Sequence, residues 1–240
     1  MARTTKRAAG RTAARRSASS TARKQSSRGR IAKTAKAARD VKTGARKSAS
    51  LGTRRSVPAS ALVPTGPSRD APHWTETLSD GTHVIIRPIR KEDAALERAF
   101  IKRLSPESRR LRFLGQFNEA SDDLVKSLTD IDYRRDVAFV ALIHRDGEKR
   151  EIGVARYGTN EDGSACECAV TVADEWRQRG LGVALMRHLI EVARSRGVRS
   201  MFSIDEADNS GMRDLAKFLG FRRTRDPDDA TQVIHTLTLR

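Results

Sequence analysis

The sequence predicts an α+β fold: a central mixed, mostly antiparallel sheet flanked by helices, carried behind a disordered basic N-terminal tail. Three observations predict it. Charge is segregated along the chain, strand-like runs come in series up to about residue 173, and beyond them the order is strand, glycine loop, helix, strand, helix, strand.

The 240 residues carry 47 Lys or Arg and 30 Asp or Glu, a net charge of +17. Residues 1–70 hold 19 of the basic residues against Asp40 and Asp70 alone, while the rest of the chain holds 28 of each sign. That tail has no Phe, Tyr, Trp or Cys. It therefore has too little apolar surface to offset an ordering entropy of about 1 to 2 kcal/mol per residue, and it reads as disordered. Ser56-Val57-Pro58 and Pro64-Thr65-Gly66-Pro67 mark a linker. The reading divides the chain into a tail and linker over 1–70, further linker over 71–82, and one folded domain over 83–240, long enough for one well-buried core.

No apolar run reaches the roughly 18 residues of a membrane helix, and no apolar block follows the basic N-terminus as a secretory signal requires. Cys166 and Cys168 cannot make a disulfide framework, and none of His73, His83, His144, His188 and His235 completes a metal spacing. The expectation is a cytoplasmic chain with no metal and no membrane partner.

Within the domain, His83-Val84-Ile85-Ile86-Arg87-Pro88 reads as a strand. Helices are expected over about 91–103, 106–114 and 121–129. Strands follow at about 137–144, 151–158 and 165–173, with Asp146-Gly147 as a hairpin turn between the first two. Next comes Arg177-Gln178-Arg179-Gly180-Leu181-Gly182-Val183. At a helix start the first N–H groups lack intrahelical partners and the macrodipole adds roughly half a positive charge, so a diphosphate can be held there. Glycines at 180 and 182 let a phosphate approach the backbone. Read alone, the same string is also a turn ahead of an ordinary helix.

From Leu181, apolar residues at Leu185, Leu189 and Val192 recur at helical spacing, so a helix spans roughly Gly180 to Arg196, with Arg187 and Glu191 four apart on its charged face. A strand over 198–204 and a second helix from Asn209 to Gly220 follow, the latter turning Met212, Leu215 and Leu219 inward. Trp176 reads as packing at the strand end.

This combination resembles the GNAT superfamily of N-acetyltransferases, whose acyl-CoA site is an Arg/Gln-x-x-Gly-x-Gly/Ala loop between a bulged strand and the following helix. The likeness covers residues 83–240. Leu104-Ser105-Pro106-Glu107-Ser108, Cys166-Glu167-Cys168-Ala169-Val170 and Asn209 to Phe221 are similar to the Pat-type bacterial protein lysine acetyltransferases. The resemblance implies acetyl-CoA as acyl donor and a protein lysine as acceptor, by direct transfer in a ternary complex.

A lysine near its ordinary pKa of about 10.4 must lose a proton before it attacks, at a cost of about 4.6 kcal/mol at neutral pH. A general base is therefore expected. Glu167 is the candidate: it precedes the loop, alternation sets it opposite Cys166 and Cys168, and a glutamate at the corresponding position of the Pat-type enzymes has that role. The alternative for Glu167 is an exposed strand carboxylate paired with an arginine. The resemblance further implies Val170 and Val172 as backbone partners of the pantetheine arm, Arg177, Gln178, Arg179, Gly180, Leu181, Gly182 and Val183 as the diphosphate loop, and Asn209 as a cofactor contact as well as a cap. Many relatives carry a tyrosine general acid after the leucine of the second helix; here Leu215 is followed by Ala216. Arg109, Arg110 and Arg112 would either meet an acidic protein substrate or form a solvated helix face.

The tail's Lys/Ala/Arg runs look like histone tails, and 19 cations on a flexible chain condense on nucleic acid with counterion release and no reading of sequence. The expected partners are thus acetyl-CoA, a protein lysine with the tail's own lysines among the candidates, and nucleic acid, the last implying nucleoid association. The competing readings are a small-molecule amine acetyltransferase and a histone-like DNA-binding protein with a silent GNAT fold.

Overall fold

Eight strands in the order β1-β2-β3-β4-β5-β6-β8-β7 make one sheet in the computed structural model, which describes residues 73–114 and 119–239. The expected disorder of residues 1–70 lies outside the described residues. The strands are β1 (Trp74–Thr77), β2 (His83–Pro88), β3 (Asp136–Arg145), β4 (Glu148–Thr159), β5 (Ala165–Val172), β6 (Ser200–Glu206), β7 (Arg222–Arg225) and β8 (Gln232–Thr238). The helices are α1 (Ala94–Arg103), α2 (Pro106–Phe113), α3 (Asp122–Thr129), α4 (Leu181–Ser195) and α5 (Ser210–Phe218). All neighbouring strands are antiparallel except β5 and β6, which are joined through α4 and run parallel.

The expected 71–82 linker is corrected by β1, which pairs along its whole length with β2, Trp74 opposite Ile86 and Thr77 opposite His83. Trp-Thr-Glu-Thr is too short and too polar to announce itself, and it is held by Trp74, whose ring meets Phe139 edge-on at 5.1 Å and stacks on His188 at 4.2 Å. The single final strand expected after α5 is a hairpin of β7 and β8.

The two faces of the sheet are covered by different helices. A Cβ at Gly153 would come within 3.1 Å of Leu185 and 3.3 Å of Leu181 of α4, whereas Arg156, of opposite parity on β4, reaches Glu97 of α1 at 3.8 Å. α4 buries Leu181, Leu185, Met186, Leu189, Ile190, Val192 and Ala193, the stripe its spacing predicts. Its charged face differs in one respect: Arg187 lies over the ring of Phe218 on α5, at 5.9 Å. The β3–β4 hairpin turns at Asp146 and Gly147, whose φ values of 55° and 80° suit a two-residue turn with both residues left-handed.

The bulge that the resemblance sets in the strand ahead of the loop lies elsewhere. β5 pairs with β4 in unbroken register from Cys166 to Val172. The slip is between β3 and β4, where Ala141 faces Gly153 but Leu142 faces Glu151. The extra residue, Ile152, reverses the parity of Glu151 and turns it toward α1, beside Glu97.

Candidate active site

β5 and β6 pair over three positions only, Ala165 to Glu167 against Ser200 to Phe202, although both strands run on, to Val172 and Glu206. Beyond Glu167 and Phe202 they part. The splay leaves the β6-facing edge of Cys168–Val172 without a strand partner among the described residues, and Val170 and Val172 lie on this stretch. The five residue steps from Glu167 to Val172 cover about 17 Å at about 3.3 Å each, comparable with an extended pantetheine arm. The turn Asp174–Trp176 and the glycine loop follow at the open end of the splay.

The loop meets α4 in a form suited to phosphate. α2, α3 and α5 are capped by Ser105, Ser121 and Asn209, each accepting from the N–H three residues on. α4 has glycine at its N-cap, no side-chain cap and no acidic residue in its first turn. Gly180 has φ 87°, where a side chain would be strained, and an added Cβ would meet nothing within 4 Å. A Cβ on Gly182 would meet Leu215 at 3.5 Å and Val172 at 3.8 Å, so this glycine keeps the space between α4, β5 and α5. Leu181 is buried, which leaves the loop's main chain as the binding group there. The uncapped amides, the helix dipole and the glycine clearance fit a diphosphate.

The two arginine side chains of the loop are directed away from it. Arg177 donates to Ser108 Oγ at 2.8 Å and lies 3.4 Å from Asp174 Oδ1. Arg179 donates to Asp80 Oδ2 at 2.5 Å and covers the ring of Trp176 at 4.8 Å. Trp176 is buried, as its place at the strand end predicts. Asn209 accepts from Met212 N–H at 3.0 Å, and it sits just past β6, across the splay from the loop.

α2 lies across the open end and is tied to both sides. At its start, Asp174 accepts from the Ser105 N–H at 2.9 Å and from the Ser105 and Ser108 hydroxyls. Desolvation pushes the Asp174 carboxyl up, but hydrogen bonds from Ser108 and Ser105 and the charge of Arg177 outweigh it and hold the group below the usual carboxylate range. Farther along, Arg110 pairs with Glu206 at the end of β6 and reaches Asp208 at 3.3 Å. Of the three arginines read as substrate contacts or a solvated face, Arg110 is thus an internal tie. Neither this tie nor the Asp174 cluster has a sequence signal, since partners 66 to 98 residues apart share no motif.

Glu167 closes the apex of the splay, half-buried on the face opposite α4. Desolvation, with Arg156 beside it, pushes the Arg112 guanidinium of α2 down to about 10, and the charges of Glu97 and Glu167 pull against that shift. Glu167, Arg112, Arg156 and Glu97 therefore form one electrostatic cluster under α2. On the α4 face, Cys166 and Cys168 are buried; desolvation pushes the Cys166 thiol up to about 12 and Cys168 well above its ordinary value. Burial and the raised thiol values fit packing residues and leave neither with the thiolate character of a nucleophile. No group of His, Cys, Asp and Glu suited to a metal occurs among the described residues.

The comparisons with known proteins agree with this geometry. The sequence model of the acetyltransferase (GNAT) family matches residues 103–221. Over 167 residues the chain is 57% identical to an acetyltransferase of Pseudomonas aeruginosa, covering 70% of this chain and 90% of that protein. It is 33% identical over 109 residues to the L-methionine sulfoximine/L-methionine sulfone acetyltransferase of the same species, covering 44% of this chain and 63% of that protein. Among solved structures, the GNAT domain of S. lividans PAT matches with a TM-score of 0.64 and 26% identity, over 70% of this chain and 97% of that domain. A splayed parallel strand pair, an uncapped glycine-led helix and these relatives lead to one conclusion: the chain belongs to the GNAT family of acetyltransferases and uses acetyl-CoA as its acyl donor.

Proposed function

We propose that the protein acetylates lysine side chains of proteins, with Glu167 as the general base. The observation that carries this reading is the place of Glu167 at the apex of the splay, the last β5 residue paired with β6, facing the Arg112 side and α2. Glu167 takes the proton from the lysine ammonium through water. The freed amine then attacks the thioester carbonyl to form the C–N bond, main-chain N–H groups of β5 stabilise the oxyanion, and its collapse breaks C–S while the nitrogen gives up its second proton to solvent. CoA leaves as a thiolate; with Ala216 in the place of the family's tyrosine, its proton comes from solvent or another group. Val170 and Val172 hold the pantetheine arm, residues 177–183 the diphosphate, and Asn209 the far side of the cofactor. The likeness of residues 104–108, 166–170 and 209–221 to the Pat-type enzymes is what supports a protein acceptor.

A second reading, a small amine acceptor, is favoured by the 33% identity to the methionine sulfoximine acetyltransferase. Labelled acetyl-CoA offered with a protein extract and, separately, with amino-acid amines decides between them: label in lysine peptides supports the first, turnover confined to small amines the second. The same experiment maps any label on tail lysines such as Lys33 and Lys36, whose acetylation removes charge.

The tail supports a further part of the proposal, non-specific binding of nucleic acid and hence a place at the nucleoid. With about ten phosphates engaged, the slope of log K against log salt is near −9. Deleting residues 1–70 abolishes this salt-sensitive retention; undiminished retention by the truncated protein refutes the role.

A further inference from the structure

Gln178 has φ 59°, a left-handed backbone that an L side chain adopts only when its surroundings impose it. Gly180, two residues on, is left-handed too, at φ 87°, and turns of this kind are where successive backbone N–H groups form anion-binding concavities. The residues on either side of it are both anchored. Arg177 is held by Ser108 and Asp174. Arg179 is held three times: its carbonyl accepts the Ser79 N–H at 3.1 Å, its guanidinium donates to Asp80 Oδ2 at 2.5 Å, and the same group lies over Trp176.

Ser79 and Asp80 belong to the β1–β2 turn, which is itself rigid. Leu78 N–H donates to Thr82 O at 2.9 Å, Gly81 N–H to Leu78 O at 2.9 Å, and Thr82 N–H to Asp80 Oδ1 at 3.0 Å. β1 is pinned in turn to α4, where His188 stacks on Trp74 and its Nε2 lies 2.7 Å from Glu76 Oε1. A closed circuit runs from the body of α4 through β1 and the turn to the loop that starts α4.

We propose that the β1–β2 turn, through Asp80, is a positioning element for the cofactor loop, fixing Arg179 and thereby keeping Gln178 in the conformation that aims the loop's amides at the CoA diphosphate. Asp80 is a positioning residue, and Arg179 contributes its place more than its charge. The inference rests on reading residues 177–183 as the diphosphate site.

Calorimetric titration of the full chain with CoA tests it. Asp80→Asn keeps an oxygen for the Thr82 N–H but puts an amide N–H where Arg179 finds an acceptor, in an exposed turn that remains folded. The expected result is a Kd about tenfold weaker, equivalent to about 1.4 kcal/mol. Glycine adopts the left-handed region without strain, so in a Gln178→Gly background the same Asp80→Asn change shifts Kd by less than about twofold. An unchanged Kd for Asp80→Asn overturns the inference, as does an Asp80→Asn effect of equal size in the glycine background, the mark of general destabilisation. Absence of saturation by CoA in the wild type overturns the site reading itself, and is distinguished from both by needing no variant.

Discussion

Glu167 faces the same sheet side as Arg112 and Arg156, and removing the base function proposed for it leaves the loop and the splay untouched. Glu167→Gln is expected to cut turnover by about 10² to 10⁴ while calorimetric CoA affinity stays within about twofold. Undiminished turnover removes Glu167 from the mechanism. Glu151 carries a different burden. It is 1% exposed, and desolvation followed by the charge of Glu97 pushes its carboxyl well above the ordinary value. An acid whose folded pKa is raised holds its proton more tightly folded than unfolded, so its contribution to stability is present below the unfolded value and lost as pH rises toward the folded one. Relative to wild type, Glu151→Gln therefore gains stability as pH rises from the ordinary glutamate range toward neutrality. Denaturant titrations of both proteins across that range check this, and a difference that does not vary with pH contradicts it. The thiols of Cys166 and Cys168, buried and raised, are expected to resist iodoacetamide at about pH 8 until the protein is unfolded.

At the scale of elements, α2 is fastened at its N-terminus by Asp174 and along its length by Arg110, one tie to each arm of the splay. Asp174→Asn weakens the first, where a charged acceptor takes three hydrogen bonds from Ser105 and Ser108. The loss is about 1.5 kcal/mol, a fall in Tm of roughly 3 to 6 °C by calorimetry. Because the Asp174 carboxyl is held below its usual range, this stabilisation is present above the ordinary aspartate pKa and lost as pH falls through the lower folded value. The Tm difference between wild type and variant therefore closes in acid.

These ties mark the limit of what the sequence makes legible. Periodicity and caps are local, and they place α2, α4, α5 and the β3–β4 turn within a residue or two. β1 escapes because four polar-alternating residues have no period to detect, and it is stabilised by Trp74 stacking on a histidine 114 positions away. The bulge at Ile152 is equally silent, since it is created by strand pairing, and with it goes the inward turn of Glu151. Of the proposed site, the glycine loop and Glu167 are named from their order and from resemblance. The outward anchoring of Arg177 and Arg179 is not, because it depends on Ser108 and Asp80, which only the folded chain brings near.

For the molecule as a whole, a ligand that binds only the folded state raises stability by RT ln(1 + [L]/Kd), about 2.7 kcal/mol at a hundredfold excess over Kd. Acetyl-CoA at that excess is expected to raise Tm by roughly 5 to 10 °C in a thermal-shift measurement. No shift at saturating concentration speaks against a CoA site in the folded domain. The parting of β5 from β6 gives this ligation a particular character. Where the two strands separate, a run of peptide groups faces a gap, and under the proposed role of Val170 and Val172 the donor's own amides complete the ladder as a surrogate strand. Slower deuterium uptake along residues 168–172 on adding the donor is its signature, and the substrate is thereby a temporary piece of the enzyme's architecture.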